Sequence, residues 1–289
     1  MTENAAKTLG VVGLGLIGGS FARAGKAAGL RVIGADICAK TRQMALDAGA
    51  VDEVSADAAA AGAADEILIA VPVGATGSVF AALRGALRPA ATVFDGGSCK
   101  RAPVREAAKY LGEKAGRFVP SHPIAGGEDS GFQASSARLF SGKWAVLCPA
   151  DSDADAAAAA ENAWRRAGAK TAILSAEAHD EIFSAVSHLP HLLSFALVDS
   201  IRARPNYEEL LRFAAGGFRD FTRIAASHPA MWRDICLQNS DKILDSLAYF
   251  RRAADDIETA VKNGDGAALE EKFAAARELR RAWVKTLEE

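Results

Sequence analysis

One glycine-rich joint constrains the N-terminal half of this chain more than any other feature. The β-prone run Leu9-Gly10-Val11-Val12 passes directly into GLGLIGGS, where Gly13, Gly15 and Gly18 keep the spacing GxGxxG, and helix-compatible residues follow through Phe21, Ala24 and Ala28. In a strand-turn-helix joint the first glycine allows the tight turn, the second lets the backbone approach a pyrophosphate, and the third permits close helix-to-strand packing. The helix that opens at Leu16 and Ile17 then turns its first amides toward phosphate charge. A Gly-rich joint with no ligand would read the same way, but the second strand, RVIGAD, ends in Asp36. That is close to the spacing expected of a carboxylate that accepts hydrogen bonds from the adenosine ribose hydroxyls. A carboxylate there repels the extra phosphate of NADP, so NAD is the expected cofactor, with Lys40 and Arg42 nearby as charges that would partly offset the repulsion.

From Thr8 to about Pro149, β-rich runs alternate with helical segments: LGVV, RVIGAD, EILIAVP, TVFDGG, RFVPSH and KWAVLCP. This alternation predicts an α/β fold built on a doubly wound, parallel, Rossmann-type sheet, with Lys170 to Leu174 as a last strand at its edge. Ligands bind beyond the carboxyl ends of such strands, which adds Val71 and Pro72 to the cofactor-side residues. After Ser175 the strand signals stop, and apolar residues recur at helical spacing through Leu189, Leu193, Leu197 and Ile201, then Ile235, Ile243 and Leu247. The predicted organisation is a dinucleotide-binding domain over 1–175 and an all-helical substrate-binding and dimerisation domain over 176–289. A homodimer is expected because the helical apolar spacing exceeds what one face of a small domain requires. The Ala-rich stretch Ala56 to Ala64 reads as a solvent-facing connection.

Charge excludes some functions: 34 Lys and Arg stand against 36 Asp and Glu, so nothing points to nucleic acid or a membrane surface, and a small molecule is the default partner. Cys38, Cys99, Cys148 and Cys236 lie far apart and form no CxxC pair, which reads as reduced, cytosolic thiols. Met1 to Lys7 has no signal-peptide pattern, and the longest uncharged stretch, Ile67 to Leu83, is broken by Pro72, Gly74 and Gly77, so no membrane span is expected.

Four segments carry chemistry: DGGSCK at Asp95 to Lys100, SHPIAGGE at Ser121 to Glu128, SHLPH at Ser187 to His191, and GGFRDFTRIAASHPAMW at Gly216 to Trp232. The first two fall beyond strand ends, which puts Ser98 and His122 beside a nicotinamide. His122 is equally readable as a histidine satisfied in a turn before Pro123, and Ser98 as an ordinary turn residue. His188 and His191 flank Pro190 on neighbouring positions of a helix face, with no third residue at metal-ligand spacing, so no metal is expected. Arg219 and Arg223, four apart on a predicted helix, either point together toward a carboxylate or are two solvated side chains.

Taken in order, GLGLIGGS, DGGSCK, SHPIAGGE, SHLPH and GGFRDFTRIA, spread between Thr8 and about Asp245, resemble the prephenate/arogenate (cyclohexadienyl) dehydrogenase family of tyrosine biosynthesis. The resemblance implies a cytoplasmic, NAD-dependent oxidative decarboxylase of prephenate or arogenate, with tyrosine as a candidate active-site inhibitor. It places the catalytic histidine at His122 and its hydroxyl partner at Ser98, and substrate contacts at His191 and, for the ring carboxylate, at Arg223 rather than Arg219. Ser187, His188, Glu128, Ser227 and Trp232 become further substrate-side candidates. Cys99 and the pair Gly96-Gly97 depart from the bulkier residues expected beside Ser98. Neither a fused mutase segment nor a regulatory domain is expected.

Two other readings bear on the same residues. A β-hydroxyacid-type dehydrogenase would carry a catalytic lysine early in its helical domain, whereas no lysine occurs between Lys170 and Lys242. A non-catalytic nucleotide-binding sensor of tyrosine or redox state would not need Ser98, His122 and Arg223 together.

Overall fold

The computed structural model describes residues 7–127 and 129–288. The chain forms two compact units, Met1–Ser240 and Asp241–Glu289. In the first, strands β1 (Thr8–Val12), β2 (Arg31–Ala35), β3 (Glu53–Ser55), β4 (Glu66–Ile69), β5 (Thr92–Asp95) and β6 (Phe118–Val119) make a parallel sheet in the order β3-β2-β1-β4-β5-β6. Helices α1 (Leu16–Ala27), α2 (Ala39–Asp47), α3 (Thr76–Leu83), α4 (Arg101–Leu111) and α5 (Ala154–Arg166) accompany it. Both sheet faces are covered, which is why the strands read as apolar runs rather than alternating ones. Leu9, Val11, Leu68 and Phe94 pack on one side with Phe21, Phe140 and Trp164, whose rings meet edge to face. Val12, Ile67, Ile69 and Val93 pack on the other with Phe80, Leu83 and Phe118.

The expected strand RFVPSH is two strands, and KWAVLCP and Lys170–Leu174 do not join the parallel sheet. Instead β7 (Ser121–Pro123) and β8 (Trp144–Leu147) pair antiparallel, β9 (Lys170–Ile173) adds parallel to β8, and the three form a separate sheet. Pro120 explains the break: without an N–H it cannot continue the ladder to β5, so pairing ends at Val119 and the chain turns away to meet β8. The Ala-rich stretch also differs from expectation. Its residues Ala58–Ala63 form a short 3₁₀ segment in which Ala61 is fully buried beside Gly10 of β1, so small side chains there serve close packing.

Beyond β9 the first unit is helical: α6 (Ala176–Phe183), α7 (Leu189–Arg202), α8 (Tyr207–Arg212), α9 (Gly216–Thr222) and α10 (Pro229–Gln238). The Ser175 hydroxyl accepts from the Ala178 amide and caps α6. Between α6 and α7, residues Ser184–His188 widen into a π-turn. Pro190 lacks the amide that would close on Val186, which favours this local widening. Arg219 and Arg223 do not share one continuous α-helix, because α9 ends at Thr222 and Arg223–Ala226 tighten into a 3₁₀ turn. The second unit is a helical hairpin whose long helices, α11 (Ser240–Lys262) and α12 (Gly266–Glu288), are joined through Gly264 at φ +65°. The Asp265 amide donates to Ala260 O at 2.9 Å, closing α11 with a glycine C-cap, and Lys272 meets Asp256 at 2.9 Å across the hairpin.

The glycine joint separates two kinds of glycine. Gly13 has φ +89°, and a Cβ built on Gly18 would lie 1.8 Å from the Gly13 carbonyl oxygen, whereas a Cβ on Gly15 meets nothing within 4 Å. Gly18→Ala is therefore expected to destabilise the protein by about 1–3 kcal/mol through overpacking, while Gly15→Ala stays within about 0.5 kcal/mol. Urea melts of both variants check this, and equal midpoints would contradict it.

Candidate active site

A cavity of about 430 Å³ opens beyond the carboxyl ends of β1, β4 and β5, at the place where the strand order reverses around β1. Gly15, Leu16 and Ile17 line one side, Val71 and Pro72 follow β4, Ser98 follows β5, and His122 enters from β7. Ser227, from the turn before α10, closes the far side together with His228 and Met231. Eight of the residues singled out in the sequence thus meet in one cleft. Gly13 and Gly18 lie beneath it as packing elements.

The glycine end suits a dinucleotide on local chemistry. No side chain caps α1, so the amides of its first turn have no side-chain partner, and the space above Gly15 is open. Asp36 follows β2, its Oδ2 accepting from the Leu14 amide at 2.8 Å and its Oδ1 from the Cys38 amide at 2.8 Å. These bonds orient the carboxylate and leave it lone pairs for hydroxyl donors. Arg42 Nη1 donates to the carbonyls of Asp36 and Ile37 at 2.6 and 3.1 Å, so its guanidinium is tied to the backbone.

At the chemical end, β7 sets His122 opposite Val146, and its ring meets Phe183 edge-on. His122 Nδ1 lies 2.9 Å from His179 Nε2, and His179 Nδ1 lies 2.9 Å from Asp180 Oδ1. Burial, then the neighbouring His179, Lys100 and His188, hold His122 well below the usual imidazole range, so it is neutral at pH 7. Burial likewise lowers His179 against the pull of Asp180. Burial works to raise the Asp180 carboxyl, but hydrogen bonds from His179 and from the Lys100 and Arg101 amides outweigh it and keep Asp180 low.

Lys100 is completely buried and ties this end together. Its ammonium pairs with Asp95 and donates to Ser121 O at 2.6 Å, while the Ser121 amide donates to Asp95 Oδ1 at 2.8 Å. The loop carrying Ser98 is thereby fastened to the strand carrying His122. Cys99, between them, is buried with Val73, Trp232 and Ile235, so the small residues Gly96 and Gly97 are followed by a packed thiol rather than an open gap.

The remaining substrate-side candidates gather around α7 and α10, outside the residues that line the cavity. His191 stacks on Trp232 with ring centroids 3.8 Å apart and donates from Nδ1 to Ser187 O at 2.9 Å. Burial, opposed by that carbonyl and reinforced by the charge of Arg223, lowers His191. Arg223 itself is exposed. The Trp232 indole nitrogen is buried with no hydrogen-bond partner among the described residues. His188 is fully buried, its Nδ1 3.2 Å from Asn239 Nδ2, and burial pushes it down to about 4, so it stands behind the cleft as a neutral ring. Glu128 lies outside the described residues. Among the described residues no group of three or more His, Cys, Asp or Glu is placed to hold a metal ion.

His179 and Asp180 lie outside the segments singled out in the sequence, and Lys100 and His228 lie inside two of them without having been given a role. The available signal was the His-Asp dipeptide in the first turns of the first helix after the sheet, where the chain crosses the end of β5.

Comparison with known proteins gives matches along both halves of the chain. Residues 21–173 match the family model for the prephenate dehydrogenase nucleotide-binding domain, and residues 175–275 match that for the prephenate dehydrogenase dimerization domain. The chain is 35% identical to the cyclohexadienyl dehydrogenase of Zymomonas mobilis over 96% of each chain. It is 38% identical to the prephenate dehydrogenase of Bacillus subtilis, over 94% of this chain and 75% of that one. Among solved structures, prephenate dehydrogenase from Aquifex aeolicus, crystallised with hydroxyphenyl propionate and NAD+, superposes with a TM-score of 0.88 at 32% identity, covering 98% of this chain and 100% of that one. With a parallel nucleotide-binding sheet, a neutral histidine in its crevice and matches along both halves, the chain belongs to the prephenate dehydrogenase family of NAD-dependent oxidoreductases.

Proposed function

We propose that this chain oxidatively decarboxylates prephenate or arogenate in this cleft, with His122 as general base, Ser98 as its hydroxyl partner and Arg223 as the clamp on the ring carboxylate. The observation that carries the proposal is the neutral ring of His122, lining the same cavity as the α1 amides and Ser98. Prephenate is a cyclohexadienol one oxidation and one decarboxylation short of an aromatic ring, and arogenate differs from it only in carrying an amino group on the side chain. NAD, when bound, supplies the acceptor for the hydride.

The protein must then orient the ring and manage one proton. The His122 Nε2 lone pair takes the hydroxyl proton as the hydride leaves the same carbon. The bond to carbon dioxide then breaks into the ring, and the proton returns to the phenolate oxygen, so no net proton is released or consumed. The Ser98 hydroxyl, lining the same wall, holds the reacting oxygen against the imidazole. Arg223 and His191 sit near enough for the guanidinium charge to depress the imidazole, which supports an anion-accepting corner beside the Trp232 indole. Ser187, His188 and Ser227 are second-rank supports of that corner. Tyrosine carries the same phenol ring as the product, which makes it the candidate inhibitor at this site.

The division of labour falls at residue 175, where the sheets end and the helices begin. We assign the reaction to the cytoplasm, a reading supported by four cysteines that lie far apart in the sequence and form no CxxC pair. The active form is a homodimer. Segment Ala176–Arg202 has the length and hydropathy of a membrane-crossing helix, and its buried residues are mostly polar, namely His179, Asp180, Ser184, His188 and Ser194. Beside the exposed Glu177, Glu181 and Asp199, the apolar Ile182, Val186 and Val198 also stand exposed, Val186 at 67%, and we read them as part of the interface.

Three measurements test these assignments. Purified protein should reduce NAD with prephenate or arogenate and release carbon dioxide. NADP should be clearly poorer, and Asp36→Ser should narrow the gap; a wild-type preference for NADP contradicts the role given to Asp36. Light scattering at micromolar concentration should give twice the chain mass, and a monomer removes the dimer assignment.

The third separates base from clamp. His122→Asn should lower kcat by about 10²–10⁴-fold with little change in KM. The wild-type base is active only when unprotonated, and its pKa is depressed, so wild-type kcat should hold through pH 6.5 and fall only in more acidic solution; the variant should lack that limb. Arg223→Gln should instead raise KM, by roughly 30-fold or more if the clamp is worth about 2–5 kcal/mol. Near-normal turnover by His122→Asn would move the base elsewhere.

A further inference from the structure

The bonds behind His122 have a direction, and Asp180 sets it. Its Oδ1 accepts from the Lys100 amide at 2.7 Å, and its Oδ2 accepts from the Arg101 amide at 3.0 Å and from Arg101 Nε at 3.1 Å. A carboxylate held by that many donors is ionised and can only accept. His179 must therefore donate its Nδ1–H to Asp180 Oδ1. As a neutral ring it then has a lone pair, not a proton, on Nε2. That lone pair faces His122 Nδ1 at 2.9 Å, so His122 must donate its Nδ1–H to it. The proton of the neutral His122 ring is thus committed to Nδ1, and the Nε2 lone pair is left for the substrate side.

We propose that His179 and Asp180 are positioning residues that lock His122 in its Nδ1–H tautomer, so that Nε2 stands ready as a base. The proposal rests on His122 being the base of the reaction. Free imidazole side chains favour the opposite tautomer only slightly, so without this lock a large share of His122 rings would present a proton where a lone pair is needed. The same bonds stabilise the imidazolium formed during turnover, because its Nδ1–H points along a chain that ends in a negative charge. The charged and titratable groups packed around His122 are His179 and Asp180 from α6, Lys100 and Asp95 at the end of β5, and His188 from the π-turn. Lys100 and Asp95 are paired with each other, which leaves the His179–Asp180 pair as the directional partner.

Substitution at His179 separates locking from filling, since the residue is buried beside Phe183 and an aromatic replacement keeps the packing. His179→Phe removes the acceptor, whereas the carbonyl of His179→Gln reaches the place of Nε2 and restores one. The first should lower kcat by about 100-fold, and the second by no more than about 10-fold. Both should keep NAD affinity, substrate KM and melting temperature near wild type. Histidine ¹⁵N NMR reads the tautomer without turnover: wild-type His122 should be protonated on Nδ1, and His179→Phe should shift it toward Nε2. Wild-type His122 protonated on Nε2 overturns the proposal, as does a His179→Phe kcat within threefold of wild type. A wild-type protein that makes no NADH from prephenate or arogenate would defeat the assigned reaction, and the NMR result would still decide the lock.

Discussion

The buried ammonium of Lys100 is the fixed point from which the chemical end of the cleft is built. Its side chain is fully enclosed, its charge is answered by Asp95 at the end of β5, and a further bond reaches the Ser121 carbonyl at the start of β7. Those two strands belong to different sheets, so the ion pair does what a ladder of backbone bonds cannot do across the break at Pro120. The backbone amide of the same residue grips Asp180 from the helical half. One residue thus joins the Ser98 loop, the His122 strand and the His179 helix. Removing one partner of such a pair leaves an uncompensated buried charge, at about 3–5 kcal/mol, a large part of the total stability of an ordinary domain.

The cofactor end was legible in the sequence because its requirements are local. A tight turn, a close backbone approach and a carboxylate after the next strand all fall within Gly13 to Asp36, and each constrains residue type through backbone geometry. His122 and Ser98 could be placed for a related reason: strand ends in a doubly wound sheet all face one crevice, so position along the chain gives position in space. The second sheet was not legible. KWAVLCP has the same β-rich composition as the strands of the parallel sheet, and only Pro120, one residue in RFVPSH, marks where pairing changes partner. The Ala-rich stretch misled for the opposite reason, since small residues suit solvent and tight packing equally well, and the choice is made by Gly10 on a distant strand.

His179 and Asp180 were illegible because their meaning is relational. On their own helix they are two polar residues near a capped N-terminus, and only the fold brings the Lys100 and Arg101 amides to one and the His122 ring to the other. His188 shows the converse. It stands beside Pro190 in a motif that resemblance assigns to substrate contact, yet it is buried against Asn239, while His191, one turn on, stacks on the Trp232 indole. The π-turn before Pro190 adds a wide turn at Ser184–His188, enough to rotate the residues after it relative to those before.

This arrangement puts polar groups among the buried positions of the first helices after the sheet. In an isolated soluble domain a helix buries its apolar stripe and shows its polar face to water. Along α6, the π-turn and α7 the buried positions are His179, Asp180, Ser184, His188 and Ser194 together with Phe183, while the apolar Ile182, Val186 and Val198 are exposed among charged residues such as Glu181 and Asp199. Helices α8 and α9 bury no residue at all, and Phe213 and Phe221 stand exposed beside them. Polar groups at buried helix positions leave apolar side chains outside, and a second copy can cover these without lengthening the chain. The match of residues 175–275 to a dimerization domain gives these exposed apolar side chains a partner surface, and, on the reading that His122 is the base, it ties the oligomeric state to the chemistry of the cleft.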